Sequence, residues 1–80
     1  MITVYTHGGC WEGAFICSQL DRLGYSYRCC DISQDPVAHQ EWRRWDGHTT
    51  PLLVVGTRWF DHWDAALEDY LMEVQRYGHV

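Results

Sequence analysis

Cys10 holds the side chain in this sequence best suited to covalent chemistry, and its neighbours define the setting. It lies in Thr6-His7-Gly8-Gly9-Cys10-Trp11-Glu12-Gly13, between a β-branched and aromatic run, Ile2-Thr3-Val4-Tyr5-Thr6, and a segment whose apolar residues recur with helical spacing. That is the junction of a strand with a helix. The first N–H groups of a helix lack partners and carry partial positive charge, so a sulfur there is favoured as thiolate, the nucleophilic form. His7 adds charge when protonated, and Glu12 works slightly against the thiolate. A dithiol exchanger would carry its second cysteine three residues on, where this chain has Gly13. The chemistry that fits is single-thiol exchange, in which Cys10 attacks a disulfide and an outside thiol completes the reaction. A cysteine that merely caps a helix is the plainer account of the same position.

The other cysteines offer no obvious second thiol. Cys17 lies seven residues after Cys10, a rise of roughly 10 Å along a helix, whereas a disulfide needs Cα atoms within about 7 Å. Cys17 also belongs to the apolar face, where a small buried thiol is expected. Cys29 and Cys30 are adjacent in a strand and so point to opposite faces. The cysteines at 10, 17, 29 and 30 and the histidines at 7, 39, 48, 62 and 79 form no paired ligand spacing, so no metal site is expected.

The elements that must hold Cys10 follow from periodicity and punctuation. From Trp11 to Leu23, Ala14, Cys17, Leu20 and Leu23 step by three, with Phe15 and Ile16 widening the face, as in an amphipathic helix. Gly24 stops it. Residues 25–32, Tyr-Ser-Tyr-Arg-Cys-Cys-Asp-Ile, read as a second strand. Asp35 and Pro36 suit the cap and first position of a second helix, which Gly47 ends. Pro51-Leu52-Leu53-Val54-Val55 is a continuous apolar strand. Gly56-Thr57 turns the chain into Arg58-Trp59-Phe60, an antiparallel edge strand. Asp64 caps a last helix with Leu67, Tyr70, Leu71, Val74 and Tyr77 on its apolar face. The order is β-α-β-α-β-β-α, an α/β arrangement in which strands separated by helices are expected to pair in parallel and the last two to form a hairpin. Trp42 and Trp45, three apart on one helix face, are expected in the core.

Composition excludes several functions. The 80 residues make one small domain, 1–80, with a formal net charge of −5. The only basic pair, Arg43-Arg44, is no footprint for nucleic acid. No window approaches the roughly 18 apolar residues of a membrane span, and the first residues lack the features of a signal peptide. The four cysteines occur with regular apolar periodicity, and two are adjacent, so a reduced, cytoplasmic, monomeric protein is expected rather than a disulfide scaffold.

Thr3-Val4-Tyr5-Thr6 leading to Cys10, the segment Leu20-Asp21-Arg22-Leu23-Gly24-Tyr25-Ser26-Tyr27 with Asp31-Ile32-Ser33 and Asp35-Pro36, and His48-Thr49-Thr50-Pro51-Leu52-Leu53-Val54-Val55-Gly56 together resemble a glutaredoxin-like redoxin. The similarity is closest to the NrdH type, the small redoxins that reduce ribonucleotide reductase, and it extends over roughly residues 2–71. It implies the thioredoxin/glutaredoxin fold, a four-stranded mixed sheet with three helices, with Cys10 as the attacking residue. On its residues alone, Pro51 would open its strand in the ordinary trans form; the resemblance implies a cis bond beside the thiol. It also implies that Thr50 offers backbone hydrogen bonds to a bound peptide or glutathione. Trp63 falls where the family has a groove wall, and Asp64 matches the aspartate that contacts the γ-glutamyl end of glutathione. His7 takes the place of the lysine that precedes the thiol in that family. With Trp11, which directly follows the thiol, these residues make up the expected substrate surface.

Three departures accompany the resemblance: the Cys-x-x-Gly loop, the missing lysine, and Asp61-His62 where glutaredoxins carry two glycines. The implied function is monothiol thiol–disulfide exchange without a tightly bound cofactor, with glutathione as co-substrate. The partner is a disulfide-bearing protein such as ribonucleotide reductase, or glutathione itself. The competing reading is a redox-inactive or redox-sensing module that uses the same fold to bind a protein. Substituting Gly13 by cysteine is expected to restore a dithiol if the remaining scaffold is competent.

Overall fold

In a computed structural model, which describes residues 2–45 and 47–77, with side chains through 74, the elements are β1 Ile2–Thr6, α1 Trp11–Arg22, β2 Arg28–Asp31, α2 Pro36–Arg44, β3 Leu52–Val55, β4 Arg58–Phe60 and α3 Ala65–Tyr77. The expected order is present. The four strands form one sheet in the order β2-β1-β3-β4. β1 and β2 are parallel, with Val4 opposite Cys29, while β3 is antiparallel to β1 and β4 antiparallel to β3. The expectation that helix-separated strands run in parallel therefore holds for β1 and β2 and fails for β3. Two helical crossovers intervene, and β3 enters on the far side of β1 in the opposite direction, giving a mixed sheet.

Alternation along the strands divides the core between two faces. Ile2, Val4, Leu53 and Val55 pack with Ile16 and Leu20 of α1 and Leu67 and Leu71 of α3. Tyr5, Leu52 and Val54 pack on the other face with Ala38 and Trp42 of α2. β3 is buried along its whole length, as its unbroken apolar run requires. The side chain of Tyr77, expected on the α3 apolar face, lies outside the described residues.

Local chemistry sets the element ends. α1 closes in a paired turn: Gly24 N–H donates to Asp21 O at 3.1 Å and Tyr25 N–H to Leu20 O at 3.0 Å, with Gly24 at φ 81°, a backbone that glycine adopts without a Cβ penalty. This turn also shortens β2. Tyr25 N–H is committed to the helix end, and pairing with β1 begins only at Arg28, so the strand expected over 25–32 covers four residues. At α2, the Asp35 carboxylate accepts from Val37 N–H at 3.0 Å and Ala38 N–H at 3.3 Å, with Pro36 at the first turn.

The buried face of α1 is displaced from the expected stripe. Gly13, Ile16 and Leu20 are buried, whereas Ala14, Phe15 and Leu23 are exposed and Cys17 is half-buried. An i, i+3, i+7 line through Gly13 faces the sheet because only a residue without a side chain fits against the end of β1.

Trp42 is buried as expected, and its indole N–H donates to Thr49 O at 3.1 Å. Gly47 lies flat against that ring: a Cβ there would stand 2.5 Å from two indole atoms and 2.7 Å from a third. Gly47→Ala is accordingly expected to lower stability by roughly 1–3 kcal/mol through overpacking, measured as a shift in the denaturant midpoint. An unchanged midpoint would show that the indole yields freely.

Candidate functional site

The site begins where β1 ends. A turn closed by Cys10 N–H donating to His7 O at 3.1 Å brings the chain into α1, and Ala14 N–H to Cys10 O at 3.2 Å is the first helical bond. Cys10 is the N-cap, extended at φ −80° and ψ 98°. Its Sγ accepts from Gly13 N–H at 3.4 Å, in the place a serine or aspartate oxygen commonly takes. An anionic acceptor suits this position better than a neutral one, since an N–H at a helix start is unpaired and partly positive.

Gly13 is fixed by steric contact. A Cβ on it would lie 2.2 Å from Thr6 Oγ1, 2.9 Å from Thr6 Cβ and 3.5 Å from Cys10 Sγ. Rotating the Thr6 side chain would move Oγ1 but leave Cβ in place. Among the described residues, Thr6 Oγ1 is also the buried side-chain oxygen left without a hydrogen-bond partner. A Cβ at 13 therefore requires Thr6 or the loop to shift, so Gly13→Cys would have to repack against β1 before a dithiol could act.

Two openings meet at Trp11. The first, about 650 Å³, is lined by Thr6, His7, Cys10, Trp11, Cys17 and Cys29 among others. The second, about 310 Å³, is lined by Trp11, Glu12, Phe15, Pro51, His62 and Trp63 with Ile16. Trp11, expected on the substrate surface, is 74% exposed, and Phe15, expected to widen the apolar face of α1, is 47% exposed and lines the second opening. The Thr50–Pro51 peptide is cis. Pro51 is buried at the floor of the second groove, and Thr50, half-buried, precedes it.

Among the remaining expected residues, His7 is exposed, its Nδ1 2.9 Å from Gly8 O. It is one of the groups that hold the Asp31 carboxyl below its ordinary range, after the larger effect of hydrogen bonds from Ser33. Trp63 is half-buried in the second groove, with its indole N–H donating to Glu68 Oε1 at 2.7 Å. Asp64 is already engaged at both oxygens: Oδ1 accepts from Leu67 N–H at 2.8 Å, capping α3, and Oδ2 lies 2.9 Å from His62 Nε2. The hydrogen bond that His62 donates to Asp61, with the Asp61 and Asp64 charges, raises the His62 pKa above its ordinary value. The structure therefore gathers Trp11, Pro51 and Trp63 in one groove and His7, Cys10 and Trp11 in the other, and it occupies Asp64 internally.

Thr6 and Phe15 were not singled out as site residues from the sequence, and His62 was noted only as a departure from the family's glycines. His62 had a signal, standing between two acids next to Trp63; Thr6 had none, because its role depends on what packs across from it. Cys29, which the sequence left without a reachable partner, shares the first cavity with Cys10. No group of three or more His, Cys, Asp or Glu residues is arranged to hold a metal ion, and no helix is long and apolar enough to cross a membrane, among the described residues.

A mixed β2-β1-β3-β4 sheet with α1 and α3 on one face and α2 on the other, a cysteine capping α1 and a cis-proline just before β3 define a thioredoxin/glutaredoxin fold, shared with solved thioredoxin-like and glutaredoxin-like proteins. The glutaredoxin-like protein NrdH-redoxin of Escherichia coli superposes with a TM-score of 0.74 at 17% identity, over 88% of this chain and 92% of that one. Glutaredoxin from Brucella melitensis gives 0.69 at 27% identity over 99% and 91%. A buckwheat glutaredoxin solved with glutathione gives 0.63 at 18% identity over 98% and 70%. No protein-family model matches the sequence, and no curated protein matches it.

The Thr6–Gly13 contact can be measured. Gly13→Ala gains up to about 1 kcal/mol of helix propensity but is expected to lose more to overpacking, for a net destabilisation of roughly 1–2 kcal/mol. Thr6→Ala removes the nearer atom and an unpaired hydroxyl, so the double variant should recover part of that loss, with a coupling of at least about 0.5 kcal/mol in a denaturation cycle. Additive effects would contradict the contact.

Proposed function

We propose that the chain is a monothiol thiol–disulfide oxidoreductase with Cys10 as its nucleophile. The observation that carries this reading is the Gly13 N–H directed at Cys10 Sγ, 3.4 Å away, on the wall of an open cavity of about 650 Å³. The sulfur is half-buried, accessible to a disulfide and supported by the helix start.

The exchange has two steps. The Cys10 thiolate attacks one sulfur of a substrate disulfide, a new S–S bond forms to Cys10, and the other substrate sulfur leaves as a thiolate that takes up a proton. An external thiol, deprotonated, then attacks the substrate sulfur of this mixed disulfide and releases Cys10 as thiolate. The half of the substrate that left in the first step is released as a thiol, the half carried by Cys10 ends in a disulfide with the external thiol, and Cys10 is regenerated; for a peptide–glutathione mixed disulfide attacked at the glutathione sulfur, with glutathione as the external thiol, the products are the peptide thiol and glutathione disulfide. Because position 13 is glycine, the loop holds no second thiol, and the second step belongs to an external reductant.

Glutathione fits as that thiol. A buckwheat protein of the same fold was solved in complex with it, and the second groove of this chain, about 310 Å³, falls in the roughly 300–1,000 Å³ range of small-ligand sites. Trp11, Pro51 and Trp63 supply apolar walls, and Thr50, which precedes Pro51, is the residue to which the resemblance assigns backbone hydrogen bonds. An incoming ammonium would have to compete with His62 for Asp64, so glutathione is expected to bind through the apolar walls more than through that carboxylate. A disulfide-bearing protein, with ribonucleotide reductase the one the resemblance implies, would place an extended segment over the same groove.

The test is turnover of a peptide–glutathione mixed disulfide in excess glutathione. Cys10→Ser should fall to the uncatalysed background while its denaturation midpoint stays within about 1 kcal/mol of the parent. Turnover surviving in that variant would remove Cys10 from the reaction. A parent protein without turnover that still binds a partner through the groove would favour the non-enzymatic module.

A further inference from the structure

The wall of the first cavity carries two more sulfurs that the Cys10 chemistry does not use. Val4 stands opposite Cys29 in the β1–β2 register, and Val4 belongs to the core face covered by α1 and α3, so Cys29 looks toward α1. Cys17, on the flank of α1, meets it there: the Cys17 thiol donates to Cys29 Sγ at 3.6 Å. Cys30 takes the opposite side of the strand and packs against the α2 cluster. Both Cys17 and Cys29 line the cavity that also holds Cys10, and both are free thiols, Cys29 exposed and Cys17 half-buried.

We propose that Cys17 and Cys29 form a second redox site, a dithiol that closes reversibly into an intramolecular disulfide linking α1 to β2 and that reacts with small disulfides entering the cavity. The sulfurs, now 3.6 Å apart, would need to approach to about 2.05 Å, a movement that side-chain rotation of an exposed cysteine on an edge strand can supply. Two residues twelve apart in sequence become an adjacent dithiol because a helix and a parallel strand bring them together, with no short spacing to announce it.

The reaction balances with a small disulfide, RSSR, as oxidant. The exposed Cys29 thiolate attacks one sulfur of RSSR, forming Cys29–S–SR and releasing RS⁻, which takes up a proton. The Cys17 thiolate then attacks the Cys29 sulfur, the S–SR bond breaks, and a second RSH leaves. The protein dithiol is oxidised by two electrons, and RSSR is reduced to two RSH. Excess thiol reverses both steps.

The surroundings assign the order of attack. Burial pushes the Cys17 thiol up to about 11, with the hydrogen bond and charge of Cys29 adding to the rise. The Tyr27 hydroxyl stands beside Cys17, opposing the rise, and also donates to Asp21 Oδ2 at 3.0 Å, while the Asp21 charge adds to it. Cys17 is therefore the slower nucleophile near neutral pH and the one that closes the bond. The site does not depend on Cys10 acting as a catalyst.

The experiment uses the full chain and the Cys10→Ser variant, each reduced, exposed to glutathione disulfide, quenched in acid, alkylated and fragmented by mass spectrometry. Both proteins should show a cross-link joining Cys17 to Cys29, with two alkylatable thiols lost per chain in Cys10→Ser and three in the parent, where Cys10 also takes up glutathione. Cys29→Ser, at an exposed edge position, should abolish the cross-link while keeping the parent's denaturation midpoint. The proposal is overturned if Cys17 remains fully alkylatable while a glutathione adduct persists on Cys29, if the bond joins either residue to Cys10 or Cys30, or if neither thiol is oxidised. Closure in Cys10→Ser separates this result from the fate of the Cys10 reaction, since that variant keeps the dithiol and lacks the proposed nucleophile.

Discussion

The contact between Thr6 at the end of β1 and Gly13 in the first turn of α1 decides what this site can be. Thr6 Oγ1 and Cβ occupy the space a side chain at 13 would need. With no Cβ there, the helix settles directly on the strand, and the Gly13 amide is delivered to Cys10 Sγ. The same closeness that supports the sulfur crowds the position from which a second loop cysteine would act. A Cys-x-x-Gly loop on this scaffold is thus a packing arrangement with its own logic, in which the glycine and the threonine across from it act as one unit. A buried hydroxyl without a partner is the cost, of the order of 1–3 kcal/mol, and the core on both faces of the sheet carries it.

Around that contact the surface divides by chemistry. On one side of Trp11 lies a cavity with three sulfurs; on the other lies a groove of aromatic and apolar walls floored by Pro51. Trp11 and Phe15, both exposed, line that groove, and aromatic rings of this kind bury a large apolar area on contact. His62, whose pKa the neighbouring Asp61 and Asp64 raise, stands at the groove rim, while Asp64 serves as a helix cap. The carboxylate that the resemblance assigned to ligand recognition is here a structural group first.

Much of the fold was legible in the sequence because its punctuation is strong. Gly24, Asp35-Pro36, Gly56-Thr57 and Asp64 each end or start an element for a local reason, and the order of seven elements followed. The direction of β3 did not, since no local signal says on which side of β1 it enters. The α1 stripe was displaced because Gly13 was not counted as a core position, although its lack of a side chain is what makes it one. For the site, Cys10 at the helix start and the cis form of Thr50–Pro51 agree with expectation. The Thr6–Gly13 contact and the Cys17–Cys29 pair required the packing of α1 on the sheet and the β1–β2 register, which are long-range facts. An adjacent pair such as Cys29-Cys30 reveals that its members face opposite ways; it does not reveal which one meets a helix.

The most direct check is the state of Cys10 partway through exchange. Parent protein treated with a stoichiometric peptide–glutathione mixed disulfide, then acid-quenched and mapped by mass spectrometry, should carry one glutathione adduct on Cys10 that persists until thiol is added. An adduct that disappears without added thiol, leaving Cys10 in a disulfide with another cysteine of the same chain, would contradict the account.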